Sequence, residues 1–277
     1  MGVESTITNK IAAKLFVRLK KNLVYANTVN RDFEGELKKG GNAMIINEVA
    51  PVSMTDYTKD TDISWTQAST VGKELRITEA KYWAKTEDDL DKTQSFSNVM
   101  GSLIEEASYS AADTIDQFLS AKYSKAGNSV TALTVSAGNA MLTLSRIQTQ
   151  LLEANVKGEI YFPIPPWLHQ HLVNAASASI TPTGAPKLIG NTTLIEGFVG
   201  KLYGMNLMIS NNVNNNGAVW NAMAYSRQAL SFAMQIQKVK YVADMESQFG
   251  AGVKALYVYG AKMIRPNAAC SCAMTKG

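Results

Sequence analysis

Residues 93–125 read TQSFSNVMGSLIEEASYSAADTIDQFLSAKYSK and carry the strongest helical pattern of the chain. Apolar residues recur here with a period of about 3.6 residues, which is typical of an amphipathic α-helix. The apolar stripe consists of Phe96, Val99, Met100, Leu103, Ile104, Ala107, Ala111, Ile115, Phe118 and Leu119. Glu105, Glu106, Asp113 and Asp116 lie mostly off the stripe. At 1.5 Å per residue the helix would be roughly 45 Å long, which suits the spine of an extended molecule.

Before this helix, two strand-like stretches are separated by a long polar segment. Residues 42–49 (NAMIINEV) and 71–83 predict the two strands. Residues 51–69 between them are rich in Thr and Asp, and a structureless loop of that length is unusual inside a compact domain. We therefore predict an arm that reaches from the body onto another subunit. The predicted contact residues on this arm are Ile63, Trp65 and Lys59.

The N-terminal segment combines an apolar face with a basic one. Residues 9–26 predict a short amphipathic helix, because leucine or isoleucine recurs at every fourth position from Ile11 to Leu23. The basic residues of this segment are Lys10, Lys14, Arg18, Lys20 and Lys21. Residues 1–29 sum to a charge of +4, which equals the net charge of the whole chain, whereas residues 30–90 sum to −4. This distribution predicts that residues 9–26 contact an acidic partner.

The region after the long helix is poor in charge and alternates helices with strands. We predict helices at 137–155, 167–176 and 226–233, and strands at 159–162 and 206–210. The last predicted element is 253–264 (VKALYVYGAKMI), a central strand that is apolar on both faces. Cys270 and Cys272 follow it and are expected on a free C-terminal tail.

No motif of the sequence builds a convincing catalytic, cofactor or metal site. GAGVKA at 250–255 resembles a dinucleotide fingerprint but has no acidic residue about 20 positions further on. His169 and His171 would point to different faces of a helix, and no further zinc ligands are evident. No apolar run approaches the roughly 18 residues that a transmembrane helix needs. We predict a protein that is not an enzyme and needs no cofactor; an enzyme with an unrecognised site is the remote alternative.

Several stretches, in their order and spacing, resemble a known family. LVYANTVNRDFEGELKKGG followed by NAMIINEV, then ELRITEAKYWAKTEDDLDKTQS and AADTIDQFL, are similar to the extended loop and spine helix of major capsid proteins of tailed bacteriophages, of the Hong Kong 97 type. GFVGKLYGMNLMISNNV resembles the turn and strand of the axial domain of that family. The run from SRQALSFAMQ through FGAGVKALYVYGAKMIRPNA resembles its closing helix and strand, which return to the peripheral domain.

The resemblance implies an α+β fold of the Hong Kong 97 type with five segments. These are an N-terminal arm (1–28), an extended β-hairpin loop with flanking strands (29–84), a peripheral domain with the spine helix (85–130), an axial domain (131–240), and a return to the peripheral domain with the C-terminal tail (241–277).

It also implies a function and partners. Such proteins self-assemble as hexamers and pentamers into the icosahedral shell around a double-stranded DNA genome, in the host cytoplasm, with a portal protein and without a membrane partner. About 25 residues precede the extended loop, so a separate scaffolding protein is implied. Acidic segments of the scaffold, the 30–90 region of a neighbouring subunit, or packaged DNA would meet the basic residues at 10–21. An encapsulin-type nanocompartment shell, which encloses enzymes, is the alternative.

Overall fold

The computed structural model describes residues 24–39, 41–50, 52–60, 62–65, 67, 69–88, 99–178, 198–242, 245 and 249–277. Its helices are α1 (Val24–Thr28), α2 (Glu34–Lys39), α3 (Val99–Ser120), α4 (Ala140–Glu153) and α5 (Pro166–Ala178). Its strands are β1 (Ala43–Val49), β2 (Thr70–Arg76), β3 (Glu79–Asp88), β4 (Asn128–Val135), β5 (Ile160–Ile164), β6 (Phe198–Leu202), β7 (Met205–Ile209), β8 (Asn214–Asn216), β9 (Val219–Ser226), β10 (Leu230–Val242), β11 (Gly250–Met263) and β12 (Ala269–Lys276). Two short 3-10 helices lie at Ala121–Lys125 and Pro266–Ala268.

The spine helix α3 packs on an antiparallel sheet with the order β10-β11-β3. Ile115 and Leu119 of α3 are buried in the same cluster as Val253 and Tyr257 of β11. The ring of Phe118 meets that of Tyr259 edge to face at 5.1 Å between centroids. The apolar stripe of the helix therefore covers one face of this sheet, as the sequence predicts.

The second core belongs to a larger mixed sheet with the order β4-β12-β9-β5-β7-β6, in which β8 also pairs with β9. β12 is parallel to β4, and β5 is parallel to β7, while the other pairings are antiparallel. Leu144, Ile147 and Leu151 on α4 and Leu168 on α5 are fully buried against it.

The predicted strand 71–83 is two strands, because the chain changes partner at Ile77 and Thr78. The N–H of Ile77 donates to the Asn42 carbonyl at 2.8 Å beside β1, and the N–H of Thr78 donates to the Tyr259 carbonyl at 3.3 Å on β11. Gly260 permits this crossing, since a Cβ there would lie 2.2 Å from the Arg76 carbonyl oxygen. β2 therefore pairs with β1, and β3 pairs with β11.

Most other predicted elements are confirmed. The strands at 42–49, 159–162, 206–210 and 253–264 and the helices at 137–155 and 167–176 each overlap an observed element of the same type. The long helix is helical from Val99 to Ser120 and continues as a 3-10 turn to Lys125. β11 is central in its sheet, but only one of its faces is fully buried, since Lys254 and Lys262 are exposed on the other.

Two predictions were wrong. Residues 226–233 are not a helix: the chain turns at 227–229 and enters β10, where Leu230 and Phe232 are buried and pair across to β11. Cys270 and Cys272 are not on a free tail, because β12 lies inside the larger sheet between β4 and β9 and both thiols are fully buried. Burial raises the pKa of Cys270 to about 11 and that of Cys272 to about 12.

Some predicted features lie outside the described residues. These are residues 9–23 of the basic helix, residues 93–98 of the spine helix, most of the loop at 177–190, and the side chain of Leu103.

Candidate assembly surfaces

β1 and β2 form a two-stranded ribbon with one face on the body and one face exposed. The register runs from Ala43 opposite Arg76 to Val49 opposite Thr70. Leu75 is fully buried on the body side, in a small cluster with Leu37 of α2 and Ala233 of β10. Alternate residues of a strand point to opposite faces, so Ile45 and Val49 lie on the outer side, where they are 65% and 69% exposed.

Charged side chains fix the base of this ribbon to the body. Lys73 Nζ donates to Glu48 Oε2 at 2.7 Å and to the Ile264 carbonyl oxygen at 2.6 Å. Arg265 Nε lies 3.5 Å from Glu48 Oε1. The hydrogen bond from Lys73 is the main cause that holds the pKa of Glu48 below its ordinary value, and the charges of Lys73 and Arg265 add to it. These contacts join β1, β2 and the end of β11 into one unit.

Beyond this base, residues 52–67 form the arm tip, which carries large apolar side chains without a core. Met54 is 97% exposed, Trp65 is 95% exposed and Ile63 is 67% exposed. The other large exposed side chains of the tip are Val52 and Tyr57. Contiguous exposed apolar surface is typical of sites of protein interaction, which makes the tip a candidate for one.

The structure places all three predicted contact residues on the arm tip. Lys59 is exposed in a turn, beside Asp60, which has a φ of 63°. Asp56 and Asp62 are also exposed, so acidic groups outnumber Lys59 in the described part of the tip. The tip thus combines apolar side chains with a negative charge.

The β10-β11-β3 sheet has a second open face, opposite α3. Tyr82 of β3 is 81% exposed and pairs in register with Leu256 of β11, so both lie on the face away from α3. Lys254 and Lys240 are opposite one another on β11 and β10 and are both exposed. The sequence does not indicate this face, because the apolar residues at 253–264 predict a strand that is covered on both sides.

The basic residues Lys10, Lys14, Arg18, Lys20 and Lys21 lie outside the described residues, so their predicted contacts stay predictions.

Both histidines lie on α5. The ring of His171 packs edge to face against Trp167 at 5.8 Å between centroids. Over the described part of the chain, no group of three or more His, Cys, Asp or Glu side chains is placed to hold a metal ion. None of the described helices is long and apolar enough to cross a membrane.

Comparisons with known proteins agree with this architecture. The family model for phage capsid proteins matches residues 67–271. No curated protein sequence matches the chain.

Among solved structures, one from Mycobacterium phage Che8 is similar with a TM-score of 0.72 and 24% identity, covering 90% of each chain. The capsid structure of cyanophage P-SCSP1u is similar with a TM-score of 0.69 and 15% identity, covering 86% of this chain and 85% of that one. A virus-like particle from Pyrococcus furiosus has a TM-score of 0.59 and 12% identity, covering 96% of this chain and 99% of that one. At these identities the likeness shows a shared fold, which is the Hong Kong 97 type.

The match of the family model over most of the chain goes further: the chain belongs to the phage capsid protein family and is a structural protein of the virion shell.

Proposed function

We propose that the chain assembles as hexamers and pentamers into an icosahedral shell around double-stranded DNA, and that its arm tip makes a contact between subunits. The observation that carries the proposal is the uncovered apolar surface of the arm tip, with Trp65 95% exposed. In a fully assembled shell a neighbouring copy would cover these side chains, and their burial would contribute to the free energy of association.

The fixed base of the arm supports this role. An arm that met its neighbour with no preferred direction would lose much conformational freedom on binding. The contacts of Lys73 and Arg265 with Glu48 already hold the ribbon against the body in the isolated chain. The ribbon that carries the tip is therefore already held on the body before assembly begins.

We extend the proposal to the segments of the chain. Residues 85–130 with β10 and β11 would form the peripheral domain, and the larger sheet would form the axial domain, where subunits meet around a symmetry axis. In this arrangement β12 belongs to the axial sheet, since it pairs with β4 and β9.

We propose the partners of the shell from the resemblance to the family. A separate scaffolding protein and a portal protein would direct assembly in the host cytoplasm. The basic residues at 10–21 would meet acidic protein segments, because residues 9–26 also carry an apolar face that phosphate contacts alone would not require. The chain would have no catalytic role in this process.

A variant that keeps its fold but lacks the apolar contact of the arm tip tests this proposal through its ability to assemble. Trp65→Ala should give a folded chain that forms few or no closed shells in electron microscopy, since Trp65 is an exposed side chain of the arm tip. The matched control is Leu142→Ala, which removes another exposed apolar side chain, 52% exposed near the N-terminal end of α4. Normal shells from Trp65→Ala, and equally from a deletion of residues 54–66, would show that the arm makes no essential contact.

A shell of the encapsulin type is the second candidate, because the virus-like particle from Pyrococcus furiosus shares the fold. The content of native particles separates the two. Nuclease-resistant double-stranded DNA inside the particles is expected for the phage shell, whereas particles that hold protein and no DNA would support the alternative.

A further inference from the structure

A buried carboxyl group lies where α3 meets the first described residues of the chain. Asp116 on α3 is only 2% exposed. Its Oδ2 accepts a hydrogen bond from the backbone N–H of Val24 at 3.2 Å, and the N–H of Tyr25 and the side chain of Asn212 also act as donors to the group. Asp116 therefore binds the start of α1, the helix that follows the basic residues at 10–21 in the sequence.

The hydrogen bonds leave this carboxyl group incompletely satisfied. Oδ1 is buried and has no partner in hydrogen-bonding geometry within the described structure. Burying a carboxylate that has an unpartnered oxygen costs free energy, because the charge loses its hydration. Protonation removes the charge and therefore reduces this cost.

The surrounding groups also disfavour the charged form. Tyr25 on α1 and Tyr225 on β9 are both fully buried beside Asp116, with their rings stacked at 6.4 Å between centroids. Asp113, one turn earlier on α3, repels a second negative charge, and no cation is among the described groups that act on Asp116. Burial is the largest cause that raises the pKa of Asp116 to about 7, against the opposing effect of the N–H of Val24.

We propose that Asp116 couples the docking of α1 on α3 to the uptake of a proton. With α1 docked, the carboxyl group is closed off from water and is favoured in its neutral form. When α1 separates, water reaches the group, the proton leaves to solvent, and the carboxylate is fully hydrated. The contact between α1 and α3 therefore weakens as the pH rises. This coupling goes beyond the proposed assembly function and does not depend on it.

The size of the effect follows from proton linkage. If Asp116 titrates at about 7 in the docked state and at its ordinary value of 3.8 when α1 is separated, the docking equilibrium weakens roughly tenfold between pH 6 and pH 8. Below about pH 3 the group is neutral in both states, and docking is then independent of pH.

Hydrogen exchange of the full chain tests the coupling. The amides of residues 25–29 should lose about tenfold in protection between pH 6 and pH 8, after correction for intrinsic exchange and relative to the amides of β12. Asp116→Asn, which keeps the shape but cannot ionise, should abolish this loss. The control Asp113→Asn removes the neighbouring acid on α3 and should retain a loss of the same direction. Equal protection at the two pH values, or the same loss in Asp116→Asn, would overturn the proposal.

A direct titration of Asp116 tests the proposed coupling even if the Asp116→Asn variant does not fold. The carboxyl carbon of Asp116 in the unmodified chain can be followed by carbon-13 NMR. A midpoint near 7 supports the proposal, and a midpoint near 4 while α1 stays docked would refute it.

Discussion

The arm tip and the larger sheet contain apolar residues of similar kinds, yet they use them in opposite ways. In β12, Cys272 and Met274 are fully buried between neighbouring strands and under α4. In the arm tip, Met54 and Trp65 are almost fully exposed. The sheet is completed within one chain, whereas the tip has apolar surface and no core of its own. The difference separates a part of the molecule that is stable by itself from a part that we propose another subunit covers.

The largest effect should come from the spine core. Ile115→Ala removes a side chain that is 1% exposed between α3 and the sheet, and we expect the free energy of unfolding to fall by about 2–5 kcal/mol. Urea denaturation of the unassembled chain measures this change. Tyr109→Ala on the same helix is the control, because Tyr109 is 60% exposed and its removal should change stability by at most about 0.5 kcal/mol. A loss below about 1 kcal/mol for Ile115→Ala would contradict the packing of α3.

The next largest effect is a change in the free energy of unfolding with pH. The pKa of Asp116 in the folded chain, about 7, lies above its ordinary value of 3.8, so the folded state binds more protons between these values. The stability that protonated Asp116 contributes is complete below about pH 3 and is lost as the pH rises through 7. Between pH 6 and pH 8 this loss should be about 1.4 kcal/mol, and it should be absent in Asp116→Asn. Denaturation of both chains at the two pH values measures the difference, and parallel curves would contradict it.

Periodicity predicted the helix that has one apolar face, and a run that is apolar on both faces predicted the central strand. The spine stripe through Ile115 and the central strand 253–264 were both found from the sequence. β12 (ACSCAMTK) was missed because small residues on both faces give no alternation between apolar and polar groups. β10 was taken for a helix because Leu230, Ala233 and Met234 are good helix formers, although pairing with β11 decides its structure.

The candidate surfaces were predicted in part. The long polar segment with Trp65 and Ile63 indicated an arm, because no core could form from its residues. Asp116 could not be recognised, since the sequence places it off the apolar stripe, where an acid normally faces water. It is buried only because α1 and the residues near Asn212 pack over it, and these contacts lie far apart in sequence.

A smaller effect is expected at the base of the arm. Glu48→Gln removes the charge that pairs with Lys73 and Arg265, and all three side chains are 29–52% exposed. Solvent therefore screens the pairs, and we expect a loss of about 0.5–1 kcal/mol that shrinks in high salt. Urea denaturation at low and high salt measures it. The control Glu74→Gln breaks a more exposed pair with Arg76 in the same ribbon and should cost less. Equal losses for the two variants would mean that Glu48 does not hold the base of the arm.

The smallest effect on the stability of the isolated chain should come from Trp65→Ala. The same substitution is expected to have the largest effect on assembly. Trp65 is 95% exposed, so Trp65→Ala should change the free energy of unfolding of the unassembled chain by at most about 0.5 kcal/mol. Denaturation followed by circular dichroism measures this without relying on the removed fluorophore. Tryptophan fluorescence then measures whether Trp65 becomes buried on assembly. Emission from Trp65 should shift to shorter wavelength when shells form, because a neighbouring subunit would replace the water around the indole.

The chain contains four tryptophans, and the other three, Trp83, Trp167 and Trp220, are partly buried in the body. Subtracting the spectrum of Trp65→Ala from that of the unmodified chain, both unassembled, gives the emission of exposed Trp65 alone. A loss of stability above about 1.5 kcal/mol in this variant would show that the tip packs on its own body, since only a buried side chain can contribute so much. The contrast between a self-contained core and an arm that requires a neighbour would then be lost.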